Sequence, residues 1–235
     1  MINIVYRLCE VEIVPPFREK RPSWFSKLNC LQSFLQSVEF SKAYISSVTF
    51  IHDGPEGLLI KAIPERFKVI KINECSNEGS LMATYLSASE IVGDIYYVED
   101  DYLHMPDSIK LIALALPQLG LVTGYDHEDR YVRDDDLTYG KELIHFDQAS
   151  NRHWRTAEST TCTFAISESM RPKVEAIAHQ FKLLDRPLFR KLYKKGVRLW
   201  TPIPGLTTHV DTALSPGINW IDFNERMFTS RQEPN

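Results

Sequence analysis

The clearest indication of the fold lies in residues 76–103, which read SNEGSLMATYLSASEIVGDIYYVEDDYL. It opens with a polar loop at 76–80, after which apolar side chains recur at helical spacing. They are Leu81, Tyr85, Ala88 and Val92. The apolar run 94–98 then predicts a buried strand that stops at three carboxylates. Such a helix, strand and polar turn is typical of an open α/β sheet, where ligands bind at the carboxyl ends of the strands.

The same alternation extends in both directions from this stretch. Strands are predicted over 2–8, 44–51 and 67–72, and helices over about 24–38, over 56–63 and from Pro106 to Leu116. The order β-α-β-α-β-α-β-α predicts a parallel sheet with helices on both faces.

After residue 119 the pattern changes. Strands are predicted over 121–124, 142–146, 159–166 and 197–201, helices over 168–181 and 187–195, and an ordered loop from Pro202 onwards. No linker or repeat interrupts the chain, so we expect a single domain, 1–235, with a first half 1–120 and a second half 121–235.

The composition limits the class of protein. The chain has 235 residues and a formal net charge of −4, which argues against nucleic acid as a partner. The amino-terminal residues do not resemble a signal peptide, and no apolar run reaches about 18 residues, so no transmembrane segment is predicted. Peripheral membrane association stays open. Four dispersed cysteines are interpreted as reduced thiols of a cytoplasmic protein: Cys9, Cys30, Cys75 and Cys162.

The acidic triplet Glu99-Asp100-Asp101 is the strongest indication of chemistry. Three adjacent carboxylates repel one another, and a divalent cation would neutralise them. Carboxylate oxygens suit Mg²⁺ or Mn²⁺, ions that also bridge phosphates. The alternative is a solvated acidic turn before the helix that starts near Pro106.

The stretch 76–103 also resembles the core of family 2-type inverting glycosyltransferases, which have the GT-A fold. Asn77 and Gly79 match the family's loop, Gly93-Asp94 its Gly-Asp pair, and the triplet 99–101 its acidic motif, with glutamate in place of the usual first aspartate. The resemblance implies an α/β GT-A fold with a mixed, mostly parallel central sheet flanked by helices.

The resemblance also implies an activity. It is metal-dependent transfer of a sugar from a UDP-, GDP- or TDP-linked donor to a glycan or glycolipid acceptor, as in polysaccharide biosynthesis, at the inner face of a membrane. Residues 1–120 would bind the nucleotide sugar and 121–235 the acceptor. Whether transfer is inverting or retaining stays open.

The resemblance implies roles for individual donor-site residues. Asp101 is expected to bind Mn²⁺ or Mg²⁺, and Glu99 to bind the metal or the ribose. The other donor-site residues are Arg7, Asp53, Asn77 and Asp100. The alternatives are an ordinary Asp-Gly turn for Asp53 and a surface salt bridge for Arg7.

The second half contributes candidates for the metal site and for catalysis. His209 is expected as a further metal ligand, with Asp211 orienting it, although an isolated histidine is more often structural. Asp185 or Glu158 would be the general base, and Asp185 is equally a good helix N-cap. Aromatic residues that would stack on sugars, or else pack in the core, are Tyr131, Trp154 and Trp220.

Two other functions stay open. A nucleotidyltransferase can share this fold, but it would carry a glycine-rich basic loop after the first strand, and 7–12 contains no glycine. A non-catalytic protein that binds a nucleotide sugar or a polysaccharide is the second. A dehydrogenase and a serine hydrolase are disfavoured, because neither G-x-G-x-x-G after strand one nor G-x-S-x-G occurs.

Overall fold

The computed structural model describes residues 1–11, 21–128, 131, 142–158, 160, 162–181, 185–211 and 213–229, without the side chains of 179–181, 185, 186 and 229. The strands are β1 (Ile2–Cys9), β2 (Ile45–Asp53), β3 (Lys68–Ile72), β4 (Asp94–Glu99), β5 (Tyr102–His104), β6 (Leu121–Val122), β7 (Ile144–Asp147), β8 (Arg152–Ala157), β9 (Phe164–Ile166), β10 (Leu199–Ile203) and β11 (Thr207–His209). The helices are α1 (Lys27–Phe40), α2 (Leu58–Ala62), α3 (Asn77–Ala88), α4 (Ser108–Leu119), α5 (Arg171–Phe181), α6 (Asp185–Lys194) and α7 (Trp220–Thr229).

Nine of the strands in the described ranges form one mixed sheet, in the order β3-β2-β1-β4-β9-β6-β10-β8-β7. The strands β3, β2, β1 and β4 are mutually parallel, and β9 lies antiparallel between β4 and β6. The predicted mixed, mostly parallel sheet flanked by helices is confirmed. Its topology brings the carboxyl ends of β1, β2 and β4 to one edge.

The central strand β1 is buried on both faces, as expected for a parallel sheet covered by helices. Tyr6 packs with Phe34 of α1 and Phe50 of β2 on one face, at ring-centroid distances of 4.5 and 5.3 Å. Val5 belongs to the apolar cluster on the other face. None of the described helices is both long and apolar enough to span a bilayer.

The second half departs from the predicted elements in two places. Of the predicted strand 159–166, β9 covers Phe164–Ile166, whereas 160, 162 and 163 are not in a strand, and the unpredicted β8 precedes it. The sequence of β8 is too polar to show the apolar pattern of a buried strand. Arg155 is nevertheless buried in it, because it forms ion pairs with Asp126 and Glu142.

The predicted loop from Pro202 is also wrong, because it contains β11 and α7. The strand β11 has only three residues and exists by pairing with β5, which no local pattern reveals. The helix α7 has a local signal in Asn219, whose side chain accepts from Asp222 N at 3.2 Å.

Candidate functional site

The acidic triplet follows β4 at the edge where β1 and β2 also end. The strand register places Arg7 beside Glu99 and Cys9 beside Asp53. Residues from three separate segments of the first half therefore meet at this edge of the sheet.

Glu99, Arg7 and Asn77 form one cluster. The Arg7 guanidinium donates to the Glu99 carboxylate and, at 2.9 Å, to Asn77 Oδ1. Burial alone would lower the pKa of Arg7, but the adjacent Glu99 carboxylate raises it, so the guanidinium stays charged. Burial raises the pKa of Glu99 to about 7, against the opposing effect of Arg7. Three residues predicted for the donor site are thus in direct contact.

Asp100 ties the end of β4 to β1 and α1. Its Oδ2 accepts from Cys9 N at 2.9 Å and from Lys27 Nζ at 3.0 Å. Burial raises its pKa, and Lys27 opposes that effect. These bonds fix the end of β4 against β1 and α1, and the predicted role of Asp100 in donor binding stays a prediction.

Asp101 meets His209 of the second half. His209 Nε2 lies 3.0 Å from Asp101 Oδ2, and Arg21 Nη2 donates to the same oxygen at 2.8 Å. The other oxygen, Asp101 Oδ1, is buried and has no hydrogen-bond partner among the described residues. Burial alone would raise the pKa of Asp101, but His209 and Arg21 hold it well below its ordinary value. Burial alone would lower the pKa of His209, and Asp101 raises it instead.

The short sheet of β5 and β11 makes this meeting possible. Asp101 directly precedes β5, and antiparallel pairing sets His209 opposite Tyr102. Val210 N also donates to Asp101 O at 2.8 Å. The strand β11 approaches so closely that a Cβ at Gly124 would lie 2.8 Å from Thr207 Oγ1. Glycine is therefore needed at position 124.

Asp53 lies at the end of β2 and is buried. Its Oδ1 accepts from Glu74 N at 2.8 Å and from Cys75 N at 3.2 Å. These bonds fix the segment that leads to α3 and thereby to Asn77. The Asp-Gly turn that the sequence suggested is present, with Gly54 at φ +89°.

The two candidates for the base are not brought to the triplet by any described contact. Asp185 is the first residue of α6, and its side chain lies outside the described residues. Glu158 follows β8, whose last residue, Ala157, lies opposite Leu199 at the start of β10.

The aromatic candidates have different environments. Trp154 and Trp220 are 0% and 1% exposed, so they pack in the core rather than stack on a ligand. Tyr131 is 53% exposed, and its hydroxyl donates to Asp126 Oδ2 at 2.6 Å.

Two cations at the site, Arg21 and Lys27, were not predicted from the sequence. With Arg7, they give each carboxylate of the triplet a basic partner in the described structure. Part of the repulsion that suggested a metal is therefore relieved by the protein itself. The sequence did contain a signal for these two cations, namely the basic residues of 18–27. They follow the first strand, where a phosphate-binding loop would be expected.

The sequence matches no family model and no curated protein. Solved structures are nevertheless similar in fold. The inositol-1-phosphate CTP transferase from T. maritima is 13% identical, with a TM-score of 0.54 over 99% of this chain and 97% of that one. A CMP:2-keto-3-deoxy-manno-octonic acid synthetase complexed with CTP is 10% identical, with a TM-score of 0.52 over 97% and 99%. A nucleotidyl transferase from Methanothermobacter is 12% identical, with a TM-score of 0.45 over 86% of each chain.

At these identities the similarity shows the fold alone. The chain has the nucleotide-diphospho-sugar transferase-like fold, which confirms the GT-A fold class expected from the sequence.

Proposed function

We propose that this chain is a metal-dependent glycosyltransferase that moves a sugar from a nucleotide-diphosphate sugar to a hydroxyl of a glycan or glycolipid. The observation that carries the proposal is the pairing of Asp101 with His209 at the carboxyl end of β4. A carboxylate and an imidazole from distant segments meet there beside the buried Asp101 Oδ1, which has no hydrogen-bond partner in the part of the chain that the structure describes. Buried polar atoms are rarely left without a partner, so Oδ1 is suited to bind a cation.

The donor set suits Mn²⁺ or Mg²⁺. In the described ranges, no three His, Cys, Asp or Glu side chains are arranged to hold a metal ion. Ions in phosphate-handling sites, however, are commonly held by one or two carboxylates together with the substrate phosphates. Asp101 and His209 would be the protein ligands, and imidazole favours Mn²⁺. When bound, the ion would stabilise negative charge on the leaving diphosphate.

The cluster of Arg7, Asn77 and Glu99 supports a donor site beside the proposed metal. Glu99 and Asn77 fix the Arg7 guanidinium, which is suited to bind phosphate oxygens. Asp53, one strand away, would contact the base or the ribose. Glu99 would then orient Arg7 rather than bind the metal.

The reaction needs an acceptor oxygen to attack the anomeric carbon. The bond from that carbon to the diphosphate oxygen breaks, the electron pair leaves with the nucleoside diphosphate, and a base takes the hydroxyl proton. Asp185 and Glu158 remain the proposed bases, with Asp185 preferred because it begins a helix in a segment that resembles the family's acidic motif.

Nucleotidyl transfer is the second candidate, favoured by a separate observation. Arg21 and Lys27, from the segment after β1, contact Asp101 and Asp100 and supply the positive charge that a triphosphate needs. The similar solved structures with the higher TM-scores are also named as a CTP transferase and as a CMP:2-keto-3-deoxy-manno-octonic acid synthetase complexed with CTP. In this reaction a substrate oxygen attacks the α-phosphorus of a nucleoside triphosphate, and pyrophosphate leaves.

The product distinguishes the two reactions. Purified protein is incubated with Mn²⁺ and either UDP-, GDP- or TDP-sugars with glycan acceptors, or nucleoside triphosphates with sugar phosphates. Release of nucleoside diphosphate supports glycosyl transfer. Release of pyrophosphate overturns that proposal in favour of nucleotidyl transfer. Thermal stabilisation by a nucleotide without turnover of any substrate would favour a binding protein.

A further inference from the structure

A cleft of about 700 Å³ lies between α4 and the turn that joins β7 to β8. One wall is a single face of α4, with Asp107, Lys110, Leu111 and Leu114 at helical spacing. The opposite wall is 149–153 of the turn and β8. Tyr44 and Ile203 also line the cleft. None of these residues belongs to the cluster around the acidic triplet.

The charges of this cleft differ from those of the triplet. Lys110 and Arg152 line it and make no ion pair within the part of the chain that the structure describes. The Nζ of Lys110 lies over the ring of Tyr44, 5.9 Å from the ring centroid. Asp107 is the one carboxylate among the lining residues, so the charge is net positive. Cations in a concave site without protein partners favour an anionic ligand.

Both walls are held in place by hydrogen bonds. Ser150 N donates to the buried carboxylate of Asp147 at 2.7 Å, and Trp154 Nε1 donates to Ser150 Oγ at 3.0 Å. Arg152 is paired with Asp147 in the β7–β8 ladder. On the other wall, Lys110 N donates to Ser41 Oγ at 3.0 Å. The two cations therefore project from fixed backbone, which reduces the entropy lost when a ligand binds.

The lining also carries neutral hydrogen-bonding groups. Tyr44 and Asn151 provide a hydroxyl and an amide, and beside them the charged carboxylate of Asp107 provides an acceptor. Guanidinium and ammonium groups bind phosphate, whereas amide, phenol and carboxylate groups bind sugar hydroxyls. The volume lies in the range of small-ligand pockets and exceeds what a phosphate ion alone would fill.

We infer that this cleft is a binding site for a sugar phosphate, with the phosphate at Lys110 and Arg152 and the sugar ring towards Tyr44 and Asn151. The site is separate from the proposed transfer site. The sugar phosphate is either free in solution or the headgroup of a phosphorylated lipid.

Calorimetric titration tests the inference with glucose 1-phosphate and inorganic phosphate as soluble probes. A vesicle of phosphatidylcholine with phosphatidylglycerol, added in a sedimentation assay, probes the lipid source. We expect glucose 1-phosphate to bind more tightly than phosphate. The double variant Lys110→Ala/Arg152→Ala should weaken binding by about tenfold or more, because two charge-assisted contacts are lost. The control Lys68→Ala/Lys173→Ala removes two exposed lysines outside the cleft and should leave binding unchanged.

Asp101→Asn separates this site from the donor site. Binding that survives Asp101→Asn but is lost in Lys110→Ala/Arg152→Ala supports the cleft, whatever the outcome for glycosyl transfer. Binding lost in Asp101→Asn and kept in the double variant assigns the ligand to the triplet and overturns the inference. Absence of binding of every probe to the parent protein also overturns it. Binding of the vesicle alone, lost in the double variant, identifies the lipid headgroup as the source.

Discussion

His209 Nε2 lies 3.0 Å from Asp101 Oδ2, although 108 positions of sequence separate the two residues. The contact exists because β11 pairs with β5, the strand that begins immediately after Asp101. The carboxyl end of β4 is therefore completed by the second half of the chain, and changes at either end of this contact should affect the same function.

Asp101→Asn is expected to abolish metal-dependent donor binding and to reduce transfer by about 100-fold or more, as removal of a preorganised electrostatic group does. Asparagine keeps the shape and one acceptor for Arg21, so the fold should persist. Turnover and Mn²⁺-dependent thermal shifts with the donor measure the effect.

The control for this change is Asp222→Asn, which removes an exposed carboxylate paired with Arg226 on α7. It should leave turnover unchanged. Normal Mn²⁺-dependent donor binding by Asp101→Asn would disprove the role given to Asp101.

Gly124→Ala is expected to displace β11 and with it His209. The new methyl carbon would lie 2.8 Å from Thr207 Oγ1 and 2.9 Å from Thr207 Cγ2. Both distances are shorter than a Cβ atom normally keeps from a neighbouring atom. Transfer should fall, while stability falls by about 1–3 kcal/mol from overpacking. Thr207→Ala removes both offending atoms, so Gly124→Ala/Thr207→Ala should recover activity relative to Gly124→Ala. A double variant no more active than Gly124→Ala would show that β11 does not act through this contact.

The first half of the fold was predictable because its signals are local. The strands of 2–98 are short segments rich in apolar and β-branched residues, and each long helix has an apolar stripe, so the order of the elements follows from the chain. At the candidate site, the residue pattern alone pointed to the acidic triplet at the end of β4, whereas Asn77 and His209 were expected from the family resemblance.

Other contributions to the site depend on tertiary pairing. Arg21 and Lys27 reach the triplet only through the folded segment after β1, and His209 through a three-residue strand. Periodicity cannot report such contacts, because they hold between residues far apart in the chain.

His104 should make the protein less stable in mild acid. Burial lowers its pKa from about 6.5 to about 3. Above pH 6.5 the histidine is neutral in both states and has no effect. Below it, the unfolded chain takes up a proton that the folded protein does not, so the free energy of unfolding falls as the pH falls towards 3. Relative to pH values well above 6.5, the loss at pH 4.5 is about 2.7 kcal/mol, because each full pH unit contributes about 1.36 kcal/mol.

His104→Gln tests this dependence, because glutamine does not titrate. Urea unfolding at several pH values should give a flatter profile for the variant than for the parent, whatever the offset between them. Parallel profiles would contradict the assignment of acid sensitivity to His104.

Arg155 is expected to be essential for stability because it is the buried cation for Asp126. The two side chains are 2% and 1% exposed, and Arg155 also donates to Glu142 at 2.9 Å. Arg155→Met leaves the buried Asp126 without a cation among the described residues. The free energy of unfolding should therefore fall by about 3–5 kcal/mol. Adding Asp126→Asn removes the stranded charge, so Arg155→Met/Asp126→Asn should be more stable than Arg155→Met. Arg226→Met, at an exposed pair, should change stability by less than about 1 kcal/mol. If the two changes at 155 and 126 add instead, the pair is not coupled, and the burial of Arg155 stabilises through packing alone.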